Sequence, residues 1–303
     1  MKVYGFGFFL YDILDKFTDI LLFKNMNSEI TKYNEIKENL KKALNTNGWD
    51  GRWFKRAFTD NGETIGTMEG DECKIDNIAQ SWSVISGAGD NDKKYISLES
   101  LETHLIDKEN GLIKLLDPPF LNTKINPGYI KSYPPGVREN GGQYTHAAAW
   151  AIIAFCMLGF GDKAVEYFKM ITPIEHSKTK DTAKKYKVEP YVVAGDVYSK
   201  DSLQGRGGWT WYTGSSSWLY KACIEYILGL KIEKGILKIE PCIPKDWPKY
   251  EIQYKYINSV YNITVKNSNG KNTGVQKILV NGNIINSPIL LKDTGTFNIE
   301  ILM

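Results

Sequence analysis

The periodicity of apolar residues changes once along the chain, at Gly229, and that change constrains the fold more than any other feature. Before it, apolar side chains recur at three- and four-residue steps, the signature of amphipathic helices. Phe8 to Phe23 reads as one such helix. Ile30, Tyr33, Ile36, Leu40 and Leu44 mark the next, with Ser28 placed as its N-cap and Asn47-Gly48 as its stop. A short hairpin is predicted around Asp60-Asn61-Gly62, between Trp53–Phe58 and Thr64–Thr67. Further helices are predicted over Ile75–Ser86, Asp92–Ile106, Tyr144–Leu158, Asp162–Ile171, Pro190–Tyr198 and Gly214–Leu228. Beyond Gly229 the pattern alternates, as in Leu237-Lys238-Ile239-Glu240 and Tyr261-Asn262-Ile263-Thr264-Val265, and Asn281-Gly282 is a strong hairpin turn. The expected protein is therefore mainly α with a C-terminal antiparallel β domain, divided into residues 1–228 and 229–303. Helical pairs around a common core, with polar loops gathered at one end, suggest part of an α/α toroid.

Charge and cysteine usage exclude several classes of function. The 303 residues carry 38 basic and 35 acidic side chains for a net charge of +3, so there is no electrostatic footprint for nucleic acid. Cys73, Cys156, Cys223 and Cys242 show none of the spacings of a zinc or redox motif, and His104 and His176 have no ligand spacing, so no metal is expected. The most apolar segment, Phe6 to Phe23, is interrupted by Asp12, Asp15, Lys16 and Asp19, so no membrane span is expected and the expected location is cytoplasmic. Aromatic residues make up 13% of the chain. Tyr and Trp offer an apolar ring with a polar handle, which suits the flat C–H faces and hydroxyl rims of sugars, although most of these rings are expected in the core.

Asp117 to Gly142 is a 26-residue segment rich in proline and glycine, too long for a passive connector. It leads into Arg138-Glu139-Asn140-Gly141-Gly142-Gln143-Tyr144-Thr145-His146 at the start of an apolar helix. Glycines admit a ligand to the backbone, N–H groups at a helix start favour an anion, and His146 supplies a hydrogen-bond donor. Gly205-Arg206-Gly207-Gly208-Trp209-Thr210-Trp211-Tyr212-Thr213-Gly214 repeats the design before another apolar helix. Together they predict a phosphate cradle. Singly, each has a plainer structural reading, since a helix-start His is more often a satisfied structural residue and a Gly-rich stretch is usually a turn. The P-loop and dinucleotide fingerprints are absent, which argues against nucleotide chemistry. Asp76 and Gln80 share a helix face and either orient helices or touch a sugar. Glu189 and Asp196 either line a polar wall or, more simply, are solvated or capping residues. Lys178 to Lys187 reads as a solvated face.

Four stretches resemble signatures of glycoside hydrolase family 94: residues 75–82, the run Tyr133 to His146, Val188 to Tyr198, and Gly205 to Gly214. They occur in the family's order, and the resemblance is nearest to members acting on β-1,2-glucans. It implies the second part of an (α/α)6 barrel followed by a small antiparallel β-sandwich. It implies phosphorolysis of a β-glucoside with inversion, giving α-glucose 1-phosphate, with inorganic phosphate as co-substrate and no organic cofactor. His146, Thr213 and the backbone of Gly214 are implied in phosphate binding and Glu139 in binding the acceptor sugar, with Arg138, Gln143 and Tyr144 beside it as substrate-binding residues. The implied partners are a β-linked oligosaccharide and phosphate.

The departure from the pattern is equally informative. The family's general acid is an Asp in a D-W-N-D-G type segment, and no such segment occurs here. No catalytic residue is therefore assigned, and the acid is expected upstream of Met1. The expectation is a fragment, inactive alone and prone to self-association, that needs a complementing N-terminal chain or a homodimer, with the faces of Phe8, Phe9 and Leu10 left without neighbours. Two rival expectations are an inverting α/α-barrel hydrolase, drawing an acid–base pair from Glu72, Asp76, Glu139 and Glu189, and a non-catalytic carbohydrate-binding remnant.

Overall fold

The computed structural model describes residues 2–286 and 288–303. Long helices precede Gly229 and long strands follow it. Two compact units are present, one formed by the chain up to Ala154 with Met170–Trp218, the other by Phe155–Lys169 with Leu219–Met303.

In the first unit, helix α1 (Tyr4–Phe23) packs against α2 (Asn27–Asn47) and α3 (Asn77–Ile85), and α3 packs against α4 (Asn91–Leu105). Because its apolar side chains extend beyond the packed face, α1 buries Tyr4, Phe8, Tyr11, Leu14 and Leu21 and still exposes Phe6, Leu10, Ile13 and Ile20. The expectation for Phe8 is corrected: it is fully buried, edge-on to Phe54 with ring centroids 5.0 Å apart. Ser28 is not an N-cap either. Helix α2 begins at Asn27 without a side-chain cap, and the Ser28 hydroxyl donates to its neighbour Glu29.

Helix α3 is the best-anchored element. Asp76 caps it by accepting the Ala79 N–H at 3.2 Å and also pairs with Arg56. Gln80, fully buried, accepts the Phe54 N–H and donates to the Phe54 and Asp76 carbonyls, each at 2.8 Å. Both side chains orient structure. Helix α5 (Thr145–Met157) is rich in alanine, and Ala147, Ala148, Ala149 and Ala151 through Ala154 are completely buried, so its small side chains let neighbouring segments approach closely.

The helix predicted over Pro190–Tyr198 is absent. That run is turn and extended chain ending in a short strand, Asp196–Val197, because its β-branched residues and Gly195 give no three- and four-residue repeat and it is recruited to pair with Gln143–Tyr144. Helices α6 (Gly161–Met170), α7 (Pro173–His176) and α8 (Lys180–Tyr186) follow α5. At the end of α7, His176 stacks on Tyr186 with centroids 4.8 Å apart, and burial pushes its pKa down to about 4, so it is a neutral packing residue. Helix α9 (Ser215–Lys221) passes directly into a wider π-helical turn, Ala222–Ile227.

The second unit contains an antiparallel three-stranded sheet in the order Leu230–Glu233, Ile236–Ile239, Ile289–Leu290. A five-stranded sheet has the order Lys249–Tyr256, Asn258–Lys266, Thr294–Leu302, Lys277–Val280, Asn283–Ile285. Alternate residues Tyr261, Ile263 and Val265 are buried with Ile299 and Ile301. Asn281 and Gly282 both adopt positive φ, 50° and 82°, as the tight turn between the last two strands of the sheet requires. The expectation of a wholly antiparallel domain is corrected at one pair: Asn258–Lys266 and Thr294–Leu302 run parallel over nine residues. The long connection between them, which holds the Asn281-Gly282 hairpin, gives the chain room to return in the same direction.

Candidate anion and sugar site

Three segments distant in sequence form one hydrogen-bonded lattice in the first unit. Gln143 and Tyr144 pair with Val197 and Asp196, and the Thr145 N–H at the head of α5 donates to the Gly195 carbonyl at 3.0 Å. The Gly195 N–H donates to the Trp209 carbonyl, the Gly208 N–H to the Asp196 carbonyl, and Gly207 bridges to Val197. The 205–214 loop is thereby fixed against the start of α5.

This brings His146 to Gly214, 68 positions further along the chain. A side chain added at Gly214 would place its Cβ 3.3 Å from His146 Nε2, so the imidazole edge lies on the Gly214 backbone. Thr213 is folded into the same corner, its hydroxyl accepting the Ser215 N–H at 3.1 Å and lying 2.6 Å from the Ser215 hydroxyl. His146 stacks on Tyr144 at 5.2 Å, and burial lowers its pKa, so the ring is neutral at pH 7. Trp150, one turn along α5, continues the row, 6.0 Å from His146 and 5.6 Å from Trp218.

Buried polar atoms without a hydrogen-bond partner concentrate here. Among the described residues there are ten, and seven belong to this region: Arg138 Nε, Glu139 Oε2, Gln143 Nε2, Thr145 Oγ1, His146 Nδ1, Trp150 Nε1 and Asp196 Oδ2. Each such group costs about 1–3 kcal/mol unless a ligand or water satisfies it, so their clustering makes this region the candidate site.

Arg138 adopts a left-handed φ of 50° and lies between two rings, 5.3 Å from Tyr133 and 5.5 Å from Trp209, with its Nε 3.9 Å from Glu139 Oε2. Gln143 is fully buried; its Oε1 accepts the Ile113 N–H at 3.0 Å, and its amide nitrogen has no hydrogen-bond partner. The Tyr144 hydroxyl is pushed up in pKa by burial and then by the charge of Glu139.

Asp196 belongs to the site more firmly than the sequence suggested. It is 2% exposed, faces Tyr144 across the strand pair, and accepts the Trp209 N–H at 2.9 Å. Burial raises its pKa, while the Trp209 bond and Arg138 favour the charged form. The signal available was Gly208: a Cβ there would sit 2.6–2.8 Å from the Asp196 carboxylate, so glycine is required. The other carboxylates are engaged elsewhere. Glu72 accepts N–H bonds from Leu121, Asn122 and Thr123, and although burial opposes its charge these donors hold its pKa below the ordinary range. Glu189 accepts the Trp211 indole N–H at 3.3 Å. Among the described residues no group of three or more His, Cys, Asp or Glu side chains gathers as a metal site, and no helix is long and apolar enough to cross a membrane.

The model of the glycosyl hydrolase 94 superfamily catalytic domain matches residues 3–229. The chain belongs to this family. Among its family 94 relatives, cyclic beta-(1,2)-glucan synthase NdvB of Rhizobium meliloti (strain 1021) is 41% identical over 278 residues, covering 92% of this chain and 10% of the relative. N,N'-diacetylchitobiose phosphorylase of Vibrio proteolyticus is 30% identical, covering 94% of this chain and 35% of the relative. Solabiose phosphorylase of Paenibacillus borealis is 28% identical, covering 89% and 35%. The family 94 chain thus spans from a tenth to about a third of the length of these curated relatives. A solved structure described as a sialidase shares the fold, with a TM-score of 0.51 at 12% identity over 83% of this chain and 22% of that one.

Proposed function

We propose that this family 94 chain supplies the phosphate and acceptor side of an inverting β-glucoside phosphorylase, acting on β-1,2-linked glucosides. The observation that carries the proposal is the meeting of His146 Nε2 with Gly214 amid buried polar groups that have no hydrogen-bond partner. A neutral imidazole has one N–H, and an anion beside Gly214 selects the tautomer that donates from Nε2. The Thr213 hydroxyl and the Gly214 backbone complete the cradle. Phosphate held there attacks the anomeric carbon, the bond from that carbon to the glycosidic oxygen breaks, and the departing oxygen takes a proton. The products are α-glucose 1-phosphate and a shortened acceptor held by Glu139, Arg138, Gln143 and Tyr144. The 41% identity to a protein named for β-(1,2)-glucan supports the linkage.

The proton is the step these 303 residues do not provide, because they contain no D-W-N-D-G segment. We place the acid and the donor-sugar groups on other polypeptide, an upstream segment, a complementing chain or a second subunit. Residues 1–228 are read as the second part of an (α/α)6 barrel and 229–303 as its β-sandwich companion, in a cytoplasmic enzyme. General acid catalysis is worth about 10²–10⁴-fold, so the 303-residue chain alone is expected to release no glucose 1-phosphate at an enzymatic rate from sophorose, laminaribiose or cellobiose with phosphate. Robust phosphate-dependent release would refute the missing acid. Phosphate-independent release of glucose would replace the phosphorylase reading with a hydrolase.

A further inference from the structure

Arg138 and Glu139 sit on a turn, not on a helix or strand, between the bridged residues Val137 and Asn140. Side chains on a turn are placed only as well as the bonds that fix its backbone. Asn140 supplies those bonds. Its N–H donates to the Val137 carbonyl at 3.1 Å, and its carbonyl accepts the Gly136 N–H at 2.8 Å, which closes the turn with Arg138 and Glu139 at its tip. The Asn140 side chain is fully buried. Its Oδ1 accepts the Phe120 N–H at 2.7 Å, and its Nδ2 donates to the Phe120 and Tyr133 carbonyls at 2.9 and 2.8 Å. One N–H and two carbonyls around the amide fix which end is nitrogen. Among side chains this short, only an amide offers two donors and an acceptor at once.

The turn is thereby moored to the core of its unit. Phe120 is buried with Ile65, Cys73, Leu116 and Ile130, so a bond to its backbone is a bond to a fixed point. The next three residues, Leu121, Asn122 and Thr123, donate their N–H groups to Glu72 at 2.9, 2.7 and 2.9 Å, which anchors the same stretch a second time. Backbone contact seats the turn at both ends. A Cβ at Gly136 would lie 2.5 Å from the Lys200 nitrogen, and one at Gly141 would lie 2.9 Å from Pro119 Cβ. The bonds that hold His146 to Gly214 run through Gly195, Asp196 and Trp209 and use neither Asn140 nor Glu72. The acceptor side therefore has supports of its own.

We propose that Asn140 is a positioning residue for the acceptor sugar: it holds the Arg138-Glu139 turn in place from behind, through Phe120 and Tyr133, with Glu72 as the outer anchor of the same segment. Neither residue touches the sugar. The proposal rests on the acceptor-side reading of Glu139 given above, and its test separates the two.

The test is titration calorimetry of sophorose and, separately, of inorganic phosphate into the 303-residue chain and its Asn140→Ala and Glu72→Ala variants, with amide hydrogen exchange measured on each protein. Asn140→Ala is expected to bind sophorose at least about tenfold more weakly, the value of one misplaced hydrogen bond to a charged group. Glu72→Ala is expected to shift sophorose binding the same way by a smaller factor, and it decides if Asn140→Ala fails to fold. Phosphate affinity is expected to stay within about twofold in both, and exchange in Asn140→Ala to quicken at residues 136–142 but not at 143–145 or 207–209. Unchanged sophorose affinity in a folded variant would overturn the proposal. So would loss of sophorose and phosphate binding by the same factor, since that is general loosening. If the unaltered chain binds no sophorose, the acceptor reading of Glu139 fails and exchange decides alone: quickening confined to 136–142 upholds the hold of Asn140 on the turn, and unchanged or widespread exchange overturns it.

Discussion

Asp76→Ala is expected to destabilise the first unit by about 3–5 kcal/mol, measured by urea unfolding. Two functions are lost together. The carboxylate is the buried partner of Arg56, whose own side chain is 13% exposed, so removing it strands a guanidinium away from water. The same carboxylate caps α3 through the Ala79 N–H, a contact worth about 1 kcal/mol by itself. Asp76→Asn keeps an acceptor for the cap and removes the charge, so its loss is expected to be smaller than that of the alanine variant. A loss below about 1 kcal/mol in Asp76→Ala would show that Arg56 finds solvent without Asp76.

Gly208→Ala is expected to cost about 1–3 kcal/mol and to displace the 205–214 loop. The added methyl would lie 2.6 Å from Asp196 Oδ2 and 2.7 Å from Oδ1, and the short, buried Asp196 side chain is held by the Trp209 N–H. The clash predicts non-additivity. Asp196→Ala removes the group that the methyl meets, so the double variant should be less destabilised than the sum of the two single variants by about 1 kcal/mol or more. Strict additivity in unfolding free energy would mean that Gly208 does not rest on the carboxylate.

Much of this architecture was legible because local patterns and tertiary packing agree. The helix from Ile30 to Leu44, the Asn281-Gly282 turn and the change of periodicity at Gly229 each follow from side-chain spacing or turn chemistry alone. The misses came where distant segments decide. Pro190–Tyr198 is drawn into pairing with Gln143–Tyr144, and the parallel partnership of Asn258–Lys266 with Thr294–Leu302 depends on a connection whose path no local pattern encodes. Phe8 finds Phe54, 46 residues away, and so lies in the core of its unit. In the candidate site, His146, Thr213 and Gly214 were visible as helix entries with glycine-rich approaches. Asp196 was legible only as one side of a choice between a polar wall and a solvated or capping residue, because its burial arises from a loop closing over it.

The central claim, that the corner at His146 is an anion site, is tested most directly by calorimetric titration of inorganic phosphate into the 303-residue chain and its His146→Ala variant at pH 7.5. The account predicts one saturable site in the unaltered chain. It predicts binding weaker by about 10- to 100-fold in the variant, the value of a hydrogen bond to a charged group. Equal affinity in both proteins, or no saturable binding to the unaltered chain, would contradict it.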